Sequence, residues 1–138
     1  MSVKIDNILL DSLTEQAKAS PRLRMNYDLR TSSDDTSQRM LNALLPGTEV
    51  PIHRHEDTSE TVVCIRGRLI EIMYEESNEY VEDGCDMTRR RCFRETSRHL
   101  LCPAEGQYGM QVPKGVWHTV EVLEPSVIFE AKDGAYKG

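Results

Sequence analysis

The apolar positions of the chain fall into one helical stretch followed by a series of short strand-like ones. In "DSLTEQAKAS" and the residue before it, Leu10, Leu13 and Ala17 recur at helical intervals, and Ser12 and Glu15 have the spacing of a capping box. A helix of about two to three turns is predicted, ending before Pro21 because the residue ahead of a proline disfavours helical geometry. "TSSDDTS" reads as a turn, and "RMLNALL" and "EVPIHRH" flank the break at Pro46-Gly47 as successive strands. "TSETVVCI" and "RLIEIMYEE", rich in β-branched and apolar residues, meet at "RGR" as a predicted hairpin. The charged segment that follows predicts a mobile loop near "EDGCD" between weak strands, with "RRRCFR" as a solvated edge strand whose charges discourage further pairing. "QYGMQVPKG", "WHTVEVLE" and "SVIFEAKDG" complete the chain as short strands punctuated by Pro113, Gly115 and Pro125. Many short strands and one helix predict an all-β fold, an antiparallel barrel or sandwich.

Composition narrows the function classes. A chain of 138 residues closes one core and not two comfortable ones. Against 17 basic residues stand 23 acidic ones, a net charge of −6, the wrong sign for a surface that collects phosphate backbones, so nucleic acid is not an expected partner. "MSVKIDNILLDSL" has neither a long apolar run nor a small-residue cleavage site, and no stretch is apolar enough to span a bilayer, which predicts a cytoplasmic protein with no membrane partner. The four cysteines form no CxxC pair and are read as reduced thiols, Cys64 as a small core residue and Cys102 as a loop thiol.

The chemistry concentrates in "GTEVPIHRHEDTSETVVCIRG". Side chains alternate along a strand, so His53 and His55 project from one face with adjacent imidazoles. Glu60 opens the next predicted strand, and His118 follows the tight turn "PKG" much later in the chain. Three neutral imidazoles and a carboxylate converging inside a barrel would hold a divalent transition metal and leave coordination positions free. An HxH pair alone fits two surface histidines in a loop better than a metal site.

The full spacing is more specific. Gly47, five residues, His53, one residue, His55, four residues, Glu60, six residues and Gly67 resemble the first signature motif of the cupin superfamily at every position. "PKGVWH", with Pro113, Gly115 and His118, resembles the core of the second, although the leading glycine of that motif falls at Gln107 and its closing asparagine at Val122. Neither departing position ligates metal in the family. "SPRLRMNYDLR" followed by "SQRMLNALLPGTEVPIHRH" is in addition similar to the small bacterial cupin metalloproteins of the WbuC type, many of them encoded among genes for surface-polysaccharide synthesis. The resemblance implies a single cupin, a conical antiparallel barrel or jelly roll with a short N-terminal helix, in which residues 1–32 form the helix and an extended arm packed on a barrel of residues 33–138. It also implies a cytoplasmic bacterial metalloprotein, a homodimer with one divalent metal per chain, and no settled reaction. The ligand set admits Fe, Mn, Co, Ni, Cu or Zn.

Other residues carry more open readings. Arg22 and Arg24 face one way if their segment is extended, and with Asn26 they could clamp an anionic small molecule over the barrel mouth, although surface ion pairs with the acidic residues are the favoured reading of the arginines. Trp117 alternates to the face opposite His118 and is expected to pack outside the pocket. His99, Glu71 and Glu105 are candidates for a general base. Two functions follow. One is an enzyme, a metal-assisted isomerase or a dioxygenase, acting on a sugar, sugar nucleotide or similar oxygen-rich metabolite. The other is a metal-dependent small-molecule binding or sensing protein without turnover.

Overall fold

A computed structural model describes residues 2–84 and 86–134. Helix α1 spans Asn7–Ala19, and strands follow as β1 (Arg24–Asp28), β2 (Ser37–Leu44), β3 (Glu60–Asp83), β4 (Asp86–Leu101), β5 (Gly109–Val112) and β6 (Trp117–Asp133), with one 3-10 turn at Pro103–Glu105. All strand pairs are antiparallel, in the order β1-β2-β6-β3-β4, with β5 added to β3.

Helix α1 begins six residues, nearly two turns, earlier than the Ser12–Glu15 spacing predicts. Its N-cap is Asp6, whose carboxylate accepts a hydrogen bond from the Leu9 amide. The apolar stripe decides this: Leu10 belongs to it, and a cap at Ser12 would strand Leu10 outside the helix. Leu10, Leu13 and Ala17 pack with Leu41, Ala43, Leu45 and Val127 in a core between the helix and the outer face of β2 and β6. The alternate residues of β2, Gln38, Met40, Asn42 and Leu44, turn the other way, into the barrel. There Leu44 joins Val62, Cys64, Leu69, Met73, Leu101, Val112, Val122 and Ile128 in the second core.

The predicted hairpin at "RGR" is instead a corner within one strand. β3 stays paired with β6 on both sides of Gly67, with register shifts between Cys64 and Leu69. Before the corner it lies between β6 and β5; beyond it, between β6 and β4. Gly67 has φ +103, and a Cβ there would meet the Ser126 Oγ at 2.3 Å and the Pro125 carbonyl at 2.4 Å, so the sharp bend excludes any side chain. The same contact explains why "WHTVEVLE" and "SVIFEAKDG" are one strand: Pro125 sits opposite the corner in β6, where a missing amide is tolerated.

The segment around "EDGCD" also differs from expectation. β3 and β4 are long, paired from Leu69↔Leu101 to Asp83↔Asp86, so only Gly84 and Cys85 connect them, and Cys85 lies outside the described residues. As predicted, "RRRCFR" belongs to a strand at the end of the sheet order, with Arg94 ion-paired to Glu75. Cys64, Cys92 and Cys102 are free thiols. Cys64 is core, and burial pushes its thiol up to about 11. Cys102 lies in the connection between β4 and the 3-10 turn, as expected, but is buried there, 5% exposed with its backbone bridged to Gln107. Among the described residues no helix is long and apolar enough to cross a membrane.

Candidate metal centre

His53 and His55 do not lie on a strand. "EVPIHRH" is irregular apart from one bridge, in which His53 and His118 exchange both backbone hydrogen bonds, at 3.0 and 2.8 Å. Two further bonds hold the segment against the barrel: Thr119 Oγ1 donates to the Val50 carbonyl (2.5 Å) and the Gly115 amide to the His55 carbonyl (2.8 Å). The prolines and polar residues of the segment deny it a ladder, and β6 supplies the alignment instead.

The three imidazoles converge. Their ligating nitrogens lie within 4.8 Å of one another, and the ring centroids are 4.2 Å apart for His53 and His118, 5.3 Å for His53 and His55, and 5.4 Å for His55 and His118. Glu60, 3% exposed, adjoins two of them, with Oε2 3.0 Å from His55 Nε2 and Oε1 3.8 Å from His118 Nε2.

The donor set fits a divalent metal. His53 Nδ1 donates to the Pro51 carbonyl (2.8 Å) and His118 Nδ1 to the Val116 carbonyl (2.9 Å), which fixes the tautomers and presents both Nε2 lone pairs to the cavity. His55 Nε2, His118 Nε2 and Glu60 Oε2 are buried without an aligned hydrogen-bond partner; the 3.0 Å approach of His55 to Glu60 is a juxtaposition of two ligating atoms and not a formed bond. Three histidines of this geometry could bind a metal ion.

Electrostatics act differently on the three groups. Burial pulls the His53 imidazole below its usual range, keeping it neutral, with His118 adding to the effect. Burial also pulls on His118, but Glu60, the Val116 carbonyl and Glu71 outweigh it and the net shift is upward. Burial would raise the Glu60 carboxyl, yet His118 and His55 hold it well below the ordinary carboxylate range.

These groups line a cavity of about 380 Å³ that also contains Arg22, Arg24 and Asn26. Arg24 Nη1 donates to the Glu49 carbonyl at 2.6 Å, and Arg22 and Asn26 are exposed at the rim. Of the general-base candidates only Glu71 lines the cavity. Glu105 is exposed and ion-paired with Arg68, and His99 lies within 3.0 Å of the Ser97 hydroxyl. Trp117 packs outside, 4.9 Å from the Phe93 ring and beneath the Arg54 guanidinium. Gln38, Asn42 and Glu130 are cavity residues that the sequence reading did not single out. Their signal was a polar side chain in phase with buried apolar ones, Gln38 and Asn42 with Met40 and Leu44, Glu130 with Ile128. Burial raises the Glu71 carboxyl to about 8, and burial with the Glu60 charge raises Glu130 to about 7.

The antiparallel fold that carries this histidine cluster is shared with solved structures, among them cupin-domain proteins. TT1209 from Thermus thermophilus is 20% identical and similar over 99% of this chain and 100% of its own, with a TM-score of 0.57. KdgF from Halomonas sp. is 14% identical with a TM-score of 0.50, over 83% of this chain and 82% of its own. A cupin 2 domain-containing protein from Halorhodospira halophila is 14% identical with a TM-score of 0.50, over 80% and 62%. At these identities the likeness defines a cupin jelly roll with a short N-terminal helix. No curated protein matches the chain in sequence. The chain belongs to the family described as a domain of unknown function, DUF6016, whose model matches residues 5–85. That span carries His53, His55 and Glu60 and stops short of His118.

Proposed function

We propose that this cupin holds one divalent transition metal through His53, His55, Glu60 and His118 and uses it to bind a small, oxygen-rich, anionic metabolite, such as an acidic sugar or sugar nucleotide. The observation that carries the reading is the convergence of three imidazoles, two of them with their Nδ1 protons tied to carbonyls, on a buried carboxylate at the wall of one cavity. A metal bound there would act as a Lewis acid toward ligand oxygens. Arg22, Arg24 and Asn26 belong to the lining of the same cavity, where two cations oppose the negative charge of the whole chain and favour a carboxylate or phosphate. The WbuC-type likeness, which runs from Ser20 through about Lys132, supports a role in surface-polysaccharide or other carbohydrate metabolism. Glu71 and Glu130, in the same cavity and raised toward neutral pH, favour an enzyme over a passive binder, because they can take up or release a proton there.

The test is binding of glucuronate to metal-loaded protein. Arg22→Ala with Arg24→Ala is expected to weaken it by about 1.5 to 3 kcal/mol per charged hydrogen bond removed, less at high salt, with metal content unchanged. Wild-type affinity in the double variant would return the arginines to the role of surface ion pairs. The proposal includes a homodimer with C2 symmetry burying about 1,600 Å² or more. Light scattering at micromolar concentration checks it, and a monomer mass would refute it.

A further inference from the structure

Three more buried oxygens in the cavity have no hydrogen-bond partner among the described residues: Gln38 Oε1, Asn42 Oδ1 and Glu71 Oε2. Gln38 and Asn42 lie on β2 and Glu71 beyond the corner of β3, with β6 between the two strands. Gln38 is 3% exposed and Glu71 1%. An unpaired buried acceptor costs about 1 to 3 kcal/mol, and native interiors rarely retain one, let alone three around one cavity. Asn42 is held in its orientation by Nδ2, which reaches Glu130 Oε1 at 3.4 Å, so its carbonyl faces the cavity as an acceptor.

We propose that Gln38, Asn42 and Glu71 form a hydroxyl-recognition wall that selects polyhydroxylated ligands in this cavity. The inference rests on the metal-site reading above for the placement of the ligand, and it names what that ligand must carry. Separate hydroxyls of one ligand can each donate to an amide carbonyl, and a further one can either donate to or accept from a carboxyl group, so a polyol satisfies all three oxygens whatever the protonation of Glu71. A site built to bond hydroxyls also discriminates against analogues that lack them, because its polar groups are then left buried and unpaired.

The experiment compares galactarate with adipate, dicarboxylates of the same chain length and charge that differ only in their hydroxyl groups. Both are titrated calorimetrically into the whole chain, with metal and after chelation. The wild type is expected to prefer galactarate by about tenfold or more. In Gln38→Leu and Asn42→Leu the preference should fall toward unity, while adipate affinity and metal content hold. With no ligand present, Gln38→Leu should melt at or above the wild-type temperature, since an orphaned acceptor has been removed. Equal wild-type affinities would overturn the proposal, as would a preference that both variants retain, or failure of both dicarboxylates to bind. Elemental analysis decides the metal reading separately: a chain without metal overturns that reading, whereas a lost hydroxyl preference in a metal-loaded chain overturns only the wall.

Discussion

A chain carrying both His55→Ala and His118→Ala is expected to lose its metal and keep its barrel. The two substitutions remove two of the three imidazoles of the cluster and both neighbours of Glu60, leaving His53 and one carboxylate, too few donors for tight divalent binding. The fold depends on other atoms. Its apolar cores run from Leu44 to Ile128 inside the barrel and from Leu10 to Val127 beneath α1, and the bridge between residues 53 and 118 is made by backbone. The cost falls on Glu60, which stays buried after losing the imidazoles that hold its carboxyl down. A loss on the order of 1 to 3 kcal/mol relative to metal-free wild type is expected. Elemental analysis of protein purified anaerobically should drop from about one metal per chain to a trace, with a cooperative thermal transition retained. Full occupancy in the double variant would sink the ligand assignment.

Why the cluster was legible in the sequence while much of the barrel was not follows from what each feature depends on. His53, His55, Glu60 and His118 are marked by spacing, which survives whether or not their segment is a strand; "EVPIHRH" proved irregular and the imidazoles still met. The helix was legible from the stripe of Leu10, Leu13 and Ala17, but its start was misplaced because Asp6 and Ser12 are both competent caps and only the packing of Leu10 separates them. "RGR" carries the same local signal whether the chain reverses or bends. What selects the bend is β6 lying along both halves of β3, with Pro125 and Ser126 against Gly67, a non-local pairing that no window of sequence contains. Gln38, Asn42, Glu71 and Glu130 show a subtler limit. Each is a polar residue in the inward phase of a strand, and pattern alone does not distinguish a polar group lining a cavity from one facing solvent.

Replacing Glu71 by Gln should stabilise the metal-free protein at alkaline pH and leave it nearly unchanged in acid. Glu71 is 1% exposed, and burial is the main reason its carboxyl titrates at about 8 rather than near 4.5. Below the unfolded value both states hold the proton and there is no penalty. Between about 4.5 and 8 the native state keeps a proton that the unfolded chain releases, so stability falls as pH rises, and above about 8 the full cost of a buried carboxylate is present. Glutamine has nearly the same shape and no charge, so the variant escapes this loss. By pH 9 it should be more stable than wild type by an amount on the order of 2 to 4 kcal/mol, against less than about 1 kcal/mol at pH 5. Urea denaturation in the presence of a chelator, at intervals from pH 5 to 9, reads the difference directly. A divalent ion at the histidine cluster would favour the Glu71 carboxylate by its own charge, so metal should restore more stability at pH 9 to the wild type than to Glu71→Gln. Coincident urea midpoints for the two metal-free proteins at pH 9 would mean that Glu71 is already ionised at neutral pH, and its role as a proton carrier in this cavity would be withdrawn.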